Sequence, residues 1–179
     1  GLSQFDPVTK HFRNYTETDG LQNNEFNGKA AYQDQEGNLY FGGMNGFNIF
    51  NPASIFTNTK VGNTVIEDVQ VFGKSLGKNL PYLKSLVLSH DQNVISFEYT
   101  ALNYLWSAKN LYQFMLEGFD RDWRSETEFR TTTYTNLDPG SYVFKVRSTN
   151  NDGVWGPTTS LSVLIKGPWY RSLWFKILA

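Results

Sequence analysis

Apolar and polar residues alternate with a period of two in several short stretches of the chain. In one of them, Tyr142, Phe144 and Val146 alternate with Lys145 and Arg147. This spacing predicts a strand with one buried face and one partly charged face. The alternation recurs in three further stretches, whose apolar members are Tyr112, Phe114 and Leu116; Ile95, Phe97 and Tyr99; and Leu161, Val163 and Ile165. The dominant period therefore predicts an all-β chain.

Turn signals separate these stretches. Asp138-Pro139-Gly140 and the segment 150–153, Asn-Asn-Asp-Gly, are both turn sequences. With further strands at 65–72 and 85–88, about seven strands lie between residues 60 and 168, which favours an immunoglobulin-like or fibronectin-III-like β-sandwich. Leu137 to Tyr142 also predicts a tyrosine corner, in which a buried tyrosine donates its hydroxyl to nearby backbone.

The first 57 residues predict a different β unit. Short strands are expected at 2–5, 11–15, 30–33, 39–42 and 46–50, the last stopped by Asn51-Pro52. Together they have the size of one β-propeller blade. The alternative is a short β-meander that packs on the sandwich. A polar linker, 52–63, follows, and we expect its Ile55 and Phe56 to pack onto one of the two domains.

Composition narrows the class of protein. Of 179 residues, 16% are aromatic and only 18% are charged, which favours a β-rich fold. The net charge of -1 offers no basic face for nucleic acid. The absence of cysteine excludes disulfides and cysteine-ligated metals, but it does not decide the compartment.

No catalytic, cofactor or metal site is predicted. His11 and His90 lie near turns and are interpreted as solvated loop side chains. Glu117, Asp120 and Asp122 have the chemistry for acid–base work or calcium binding. We prefer to interpret them as a charged turn.

Two further polar or aromatic groups have alternatives of the same kind. Asn150, Asn151 and Asp152 offer cation ligands, although the Asx-Gly sequence is first a turn signal. The tryptophans Trp106, Trp123 and Trp155 are able to stack sugars, but we interpret each as a core or rim anchor.

The central stretch resembles a known family. The segments YQFMLEGFDRDW and YTNLDPGSYVFKVRSTNNDGVWG are similar to the triple-tyrosine (Y_Y_Y) domain. The resemblance implies a fibronectin-III-like sandwich just outside the membrane in bacterial hybrid two-component sensor histidine kinases. The residues that carry the motif, with an implied structural role, are Tyr112, Gly118, Asp120, Trp123, Tyr134, Pro139, Gly140, Tyr142 and Trp155.

The flanking segments extend the resemblance. DGL and QDQEGNLYFGGMNGFNIFNP are similar to the repeat of sensor β-propellers that precede such domains. Since a lone blade cannot bury its faces, this implies a truncated blade at 1–57 with further blades upstream. The tail, 169–179, follows Pro168 and carries Trp169, Tyr170 and Trp174, similar to the family's junction with its transmembrane helix; the alternative is a short capping helix.

These resemblances imply a non-enzymatic sensor module, 58–168, at the periplasmic face of the inner membrane. It would form a homodimer, transmit glycan sensing from upstream blades to a kinase elsewhere in the same protein, and bind no nucleic acid. Any oligosaccharide would bind mainly outside these residues. The competing hypothesis is a fibronectin-III-like accessory module of a secreted glycan-active enzyme.

Overall fold

The computed structural model describes residues 1–8, 10–56, 58–77, 83–103 and 109–168. The described chain is built from β-strands and short 3-10 turns. It divides into two compact units, Gly1–Thr57 and Asn58–Ala179.

The first unit contains two small antiparallel sheets. Strands β1 (Leu2–Asp6) and β2 (His11–Tyr15) form a hairpin. Strands β3 (Phe26–Gln33), β4 (Leu39–Gly43) and β5 (Gly46–Phe50) form a meander in that order. The five strands lie where the sequence predicts them, although β3 begins four residues earlier than expected.

The meander carries aromatic side chains on both faces. Phe41 stacks on Phe50 and meets the edge of Phe26 on one face. The opposite face exposes Tyr32 and Phe47, beside an open depression of about 400 Å³. None of the residues whose burial is described in this unit is fully buried. The unit therefore has aromatic surface on both faces without a buried core of its own.

The second unit is a sandwich of two four-stranded sheets. Its strands are β6 (Thr64–Val71), β7 (Lys74–Ser75), β8 (Ser85–Leu88), β9 (Ile95–Ala101), β10 (Tyr112–Glu117), β11 (Thr131–Tyr134), β12 (Gly140–Ser148) and β13 (Thr159–Ile165). One sheet has the order β10-β12-β13-β8 and the other β11-β9-β6-β7. All pairings are antiparallel except β13 with β8, which run parallel. The fold class predicted from the sequence is therefore confirmed.

An aromatic core fills the space between the sheets. Phe97 of β9 and Phe144 of β12 stack with ring centroids 3.9 Å apart, which joins the two sheets at their centre. Each alternating set named above faces this core with its apolar members, as the period of two predicts. Burying aromatic and branched side chains of this size is the main source of stability for such a sandwich.

The strand register places the first and last residues of the sandwich at opposite ends. At one end, Thr64 of β6 bonds Ser148 of β12; we call this end the N-terminal pole. At the other, Ile165 of β13 pairs with Gly140 and Leu88. This second end, the C-terminal pole, carries the turns 72–73, 89–94, 118–122, 135–139 and 166–168. A strand rises about 3.3 Å per residue, so the seven-residue β13 spans roughly 20 Å between the poles.

Two expectations about side chains and strand ends were wrong. Phe56 is 83% exposed and packs on neither unit, whereas Ile55 is half-buried beside Leu2 and Phe50. Phe72 does not end β6 but begins the turn into β7, because its φ of +50° lies outside the range of an extended strand. The short β7 was missed because two residues carry no periodicity.

Candidate functional site: the tyrosine network of the sandwich

The second tyrosine of the motif is joined to a carboxylate in the β10–β11 loop. Tyr134 ends β11 with its ring buried, and its hydroxyl donates to Asp120 Oδ2 over 2.6 Å. The backbone N–H of Leu116 donates to the same oxygen over 2.8 Å. Asp120 thereby ties the end of β10 in one sheet to the end of β11 in the other.

Arg124 completes this network. Its Nε and one terminal nitrogen donate to Asp120 Oδ1 over 3.2 and 3.0 Å. Its guanidinium also lies over the Tyr134 ring, 4.8 Å from the centroid. Both carboxylate oxygens are therefore occupied by donors, which makes Asp120 an anchor for the loop.

The electrostatics follow from this geometry. Burial alone would raise the pKa of Asp120, but the hydrogen bonds from Tyr134, Leu116 and Arg124 outweigh it and lower the pKa. Burial, together with the bond to Asp120, raises the pKa of the Tyr134 hydroxyl. The carboxylate is thus held ionised and the phenol neutral, as a stable donor–acceptor pair requires.

The hydroxyls of the other two motif tyrosines bond to backbone groups rather than to a side chain. Tyr142 is only 8% exposed, and its hydroxyl donates to the carbonyl of Asp138 over 2.8 Å, which confirms the tyrosine corner. The hydroxyl of Tyr112 accepts from the N–H of Ala101 over 3.2 Å. Each of the three hydroxyls thus fixes a different loop or strand end around one core.

An arginine and two tryptophans stack on the outer face of the sheet that contains β10 and β12. Arg147 of β12 lies between Trp123 and Trp155, with its guanidinium 4.6 and 4.8 Å from their ring centroids. It donates two hydrogen bonds to Gln113 Oε1, over 3.2 and 2.7 Å. Trp123 and Trp155 are half-buried, and each has the Arg147 guanidinium over its ring.

A buried amide fixes the N-terminal pole. Asn150 is fully buried; its Nδ2 donates to the carbonyls of Asn58 and Lys60, and its Oδ1 accepts from the N–H groups of Asp152 and Val154. The Asx-Gly segment is therefore a turn, as interpreted. It holds the first residues of the sandwich against the β12–β13 loop.

Two glycines and one proline of the motif lie at the C-terminal pole, as does Pro168. Gly118 has φ +94°, and an added Cβ would lie 3.0 Å from the carbonyl oxygen of Ser141. Gly140 begins β12 beneath the Tyr142 ring, after the exposed Pro139. Pro168 is buried just after β13. Trp106, Trp169, Tyr170 and Trp174 lie outside the described residues.

Sequence reasoning missed both arginines. Arg124 lies in an irregular loop, so no period marks it, although it follows Asp120 by four residues. Arg147 had a signal, since a charged residue occupies the half-exposed face of β12 between two tryptophans in the sequence.

Within the described ranges, no group of three or more potential metal ligands comes together. No helix in that part of the chain has the length and apolar character to cross a membrane.

Part of the sandwich is similar to a known domain family. Residues 103–166 match the Y_Y_Y domain family. Over 97% of its length, the chain is 28% identical to a protein named histidine kinase P4 of Formosa agariphila, of which it spans 13%.

Two solved structures from B. thetaiotaomicron have a similar fold. They are the extracellular domains of hybrid two-component systems. The first is 27% identical over 92% of this chain, with a TM-score of 0.76, and the second 26% identical over 94%, with a TM-score of 0.56. The chain covers 23% of each of those structures, so it corresponds to a part of such proteins. The residues that match the Y_Y_Y domain family, 103–166, lie within the sandwich described above and include β10 to β13.

Proposed function

We propose that this chain belongs to the extracytoplasmic sensor of a hybrid two-component histidine kinase, whose kinase lies elsewhere in the full-length protein. The observation that carries the proposal is the similarity of both units, over nearly the whole chain, to extracellular domains of such systems. The similarity to a histidine kinase over 97% of the chain supports it independently.

Within that sensor, the sandwich transmits a signal from upstream. Its first residues are fixed at the N-terminal pole by Asn150, and its last described residue, Pro168, lies at the C-terminal pole. An event upstream therefore reaches residues beyond 168 through the sandwich. We further propose that two copies pair in the working sensor, that upstream blades recognise a glycan, and that binding alters the geometry of the kinase dimer.

The first unit is proposed as one blade of a larger propeller. Its sheet exposes Tyr32, Phe47 and Ile49 on one face, and none of its residues with described burial is fully buried. Blades bury such faces against their neighbours. The Phe5–Phe12 pair of the β1–β2 hairpin, with centroids 4.7 Å apart and both rings largely exposed, is a second surface of this kind.

This part of the protein is proposed to act without catalysis. Asp120 is a half-buried carboxylate, the kind of group that can act as a general acid or base. Its oxygens, however, accept hydrogen bonds from Tyr134, Arg124 and the Leu116 amide. Proton transfer needs an accessible group whose pKa lies near the working pH. The pKa of Asp120 is lowered instead.

The location is tested by cysteine labelling in intact cells. Ser125 is exposed and the chain contains no cysteine, so Ser125→Cys gives one reactive thiol in this region. In full-length protein without other cysteines, we expect a membrane-impermeant maleimide to label it before lysis. A cysteine in the kinase part is the matched control and should react only after lysis. Protection of Ser125→Cys until lysis would refute the extracytoplasmic location.

The signalling role is tested with full-length protein in membrane vesicles. Autophosphorylation from ATP is measured with a panel of oligosaccharides, first for wild type and then for Asp120→Ala. We expect one glycan class to change the phosphorylation rate, and the variant to bind that glycan normally but respond less. Equal responses in a folded variant would argue against transmission through the sandwich. A full panel without any response would refute glycan sensing.

A further inference from the structure

The C-terminal pole presents two phenylalanines to solvent. Phe72, in the β6–β7 turn, is 61% exposed, and Phe119, in the β10–β11 loop, is 48% exposed. Register places both at this pole, since Val71 pairs with Ile95 at the start of β9, and Glu117 pairs with Val143 near the start of β12. The chain leaves β13 at the same pole, after Ile165.

Phe72 occupies a position that the fold itself does not favour. Phe72 and Gly73 are the two central residues of the turn that pairs Val71 with Lys74, and their φ angles are +50° and +74°. Two positive φ angles are typical of a type I′ turn, in which Asn-Gly is preferred and a bulky side chain is disfavoured. Burial does not offset this strain, because the ring is largely in solvent. Such an outlier is evidence for a function outside the folded core.

Phe119 is held outward by a rigid loop. Its N–H donates to the carbonyl of Leu116, and one edge of its ring meets Tyr134, with centroids 5.6 Å apart. The next residue, Asp120, is fixed by the hydrogen bonds from Tyr134 and Arg124. The exposed part of the ring is therefore preorganised, which lowers the entropy cost of binding another surface.

We propose that Phe72 and Phe119 insert into the interfacial layer of the membrane that adjoins the sandwich. This inference rests on the proposed function, which puts a bilayer next to the C-terminal pole. The sequence that follows Pro168 has the composition of a membrane interface, with Trp169, Tyr170 and Trp174 among Arg171 and Lys176. The sandwich would then touch the bilayer at two loop tips in addition to the chain that leaves it.

The charges of this pole favour apolar insertion over electrostatic attraction. Apart from the Asp120–Arg124 and Glu117–Lys145 ion pairs, three cations, Lys74, Arg121 and Lys166, are balanced by three anions, Asp91, Asp122 and Asp138. Polybasic surfaces bind anionic lipids by charge, and their binding falls with salt. A neutral pole with aromatic tips should instead bind zwitterionic lipid, with little dependence on salt.

Single cysteines carrying an environment-sensitive NBD dye test the proposal in the 179-residue chain, which has none of its own. The variants are Phe72→Cys, Phe119→Cys and, as a matched control, Phe129→Cys. Phe129 is 77% exposed but lies toward the other pole, since the adjacent Arg130 bonds Tyr99. With phosphatidylcholine vesicles, we expect a blue shift and quenching by lipid spin labels at 72 and 119 only.

Vesicle co-sedimentation gives a second readout. Phe72→Asn restores a favoured turn sequence, so this variant should fold, and combined with Phe119→Ser it should lower the partition coefficient about tenfold. Phe129→Ser should lower it less than about twofold. Phe72→Asn alone should show a partial loss, which keeps the test informative if the double variant misfolds.

Several results would overturn the proposal. The first is that dyes at 72 and 119 show no blue shift with vesicles, and the second is a blue shift of equal size at 129. The third is a blue shift at 72 that depends on protein concentration without vesicles, which would show that a second copy covers this pole. The maleimide experiment separates this failure from that of the proposed function. Labelling at Ser125→Cys with no vesicle insertion rejects membrane docking alone, whereas protection in cells rejects the extracytoplasmic location itself.

Discussion

Tyr134 donates a 2.6 Å hydrogen bond to Asp120, and this contact connects the two sheets of the sandwich at the C-terminal pole. Tyr134 belongs to the sheet of β9 and β6, and Asp120 is bonded to the end of β10 in the facing sheet. The second tyrosine of the motif is thus a cross-link between layers, whereas the third, Tyr142, bonds within its own turn.

Removal of the Asp120 carboxylate should strongly destabilise the sandwich. In Asp120→Ala, the Tyr134 hydroxyl and the Leu116 N–H lose their acceptor and Arg124 loses its counter-ion. Breaking such a partly buried network costs about 3 kcal/mol in free energy of unfolding. Urea denaturation followed by fluorescence measures the change. The control Asp122→Ala, at an exposed position, should change stability by less than about 0.5 kcal/mol.

Stability should fall in acid in an Asp120-dependent manner. The folded-state pKa of Asp120 lies below the ordinary value of 3.8, so this group stabilises the protein at pH values above 3.8 and loses that contribution as pH falls through the folded pKa. Denaturation curves from pH 6 to pH 2 should therefore decline more steeply for wild type than for Asp120→Asn. Parallel curves would show that Asp120 does not carry the acid sensitivity.

Two tyrosine-to-phenylalanine substitutions should differ in their effect on the free energy of unfolding. Tyr142→Phe removes the bond to Asp138 and should cost about 1 kcal/mol. The hydroxyl of Tyr99 is buried and has no hydrogen-bond partner within the described residues. Because an unsatisfied buried hydroxyl is unfavourable, Tyr99→Phe should be neutral or stabilise by up to about 1 kcal/mol. Thermal melts decide the signs, and destabilisation by Tyr99→Phe would reveal a bound water or another partner.

Arg147 should not be replaceable by lysine. Arg147→Lys keeps the charge but loses the planar stack between Trp123 and Trp155 and the paired bonds to Gln113. We expect a loss of about 1–2 kcal/mol, since each cation–π contact contributes about 0.5–1 kcal/mol. The reverse substitution on the same face, Lys145→Arg, should be tolerated, because Lys145 forms a surface ion pair with the exposed Glu117. Equal effects of the two substitutions would refute a specific role for the stack.

The two units should differ in their ability to fold alone. Residues 58–179 contain every fully buried residue described, so deletion of 1–57 should leave a cooperative sandwich. Residues 1–57 alone should self-associate or remain unfolded, since exposed aromatics and strand edges recruit other chains. Circular dichroism and sedimentation of the two fragments test this. Loss of cooperative unfolding in 58–179 would contradict the two-part division.

The sequence predicted the strands that repeat and missed the contacts that do not. Alternation located β9, β10, β12 and β13 and assigned their inward faces correctly, because the period of two determines which side chains share a face. Turn chemistry likewise predicted the Tyr142 corner, since all its parts lie within five residues.

The bonds between distant segments were beyond this reasoning. Asp120 was correctly interpreted as part of a charged turn, but its partner Tyr134 is fourteen residues away and in the other sheet. Nothing local marks such a pair. The hydrogen bond from the Asn150 side chain to the carbonyl of Asn58, 92 positions away in the sequence, is a second example. Phe72 was assigned to a strand because it continues an apolar run. In the structure it lies in the turn instead, because β7 pairs back onto β6 through Val71 and Lys74.

The opposite poles of the sandwich have a mechanical consequence. The chain arrives on β6 and departs on β13, and these strands belong to different sheets, with no ladder of hydrogen bonds between them. A pull or push applied along the chain is therefore carried from one sheet to the other by side-chain contacts. These are the stacked rings of Phe97 and Phe144, the Tyr134–Asp120 bond, and the bonds of Thr64 with Ser148 and Thr159. Close-packed aromatic layers are hard to compress. The sandwich should accordingly behave as a stiff strut under load, moving as one body rather than stretching.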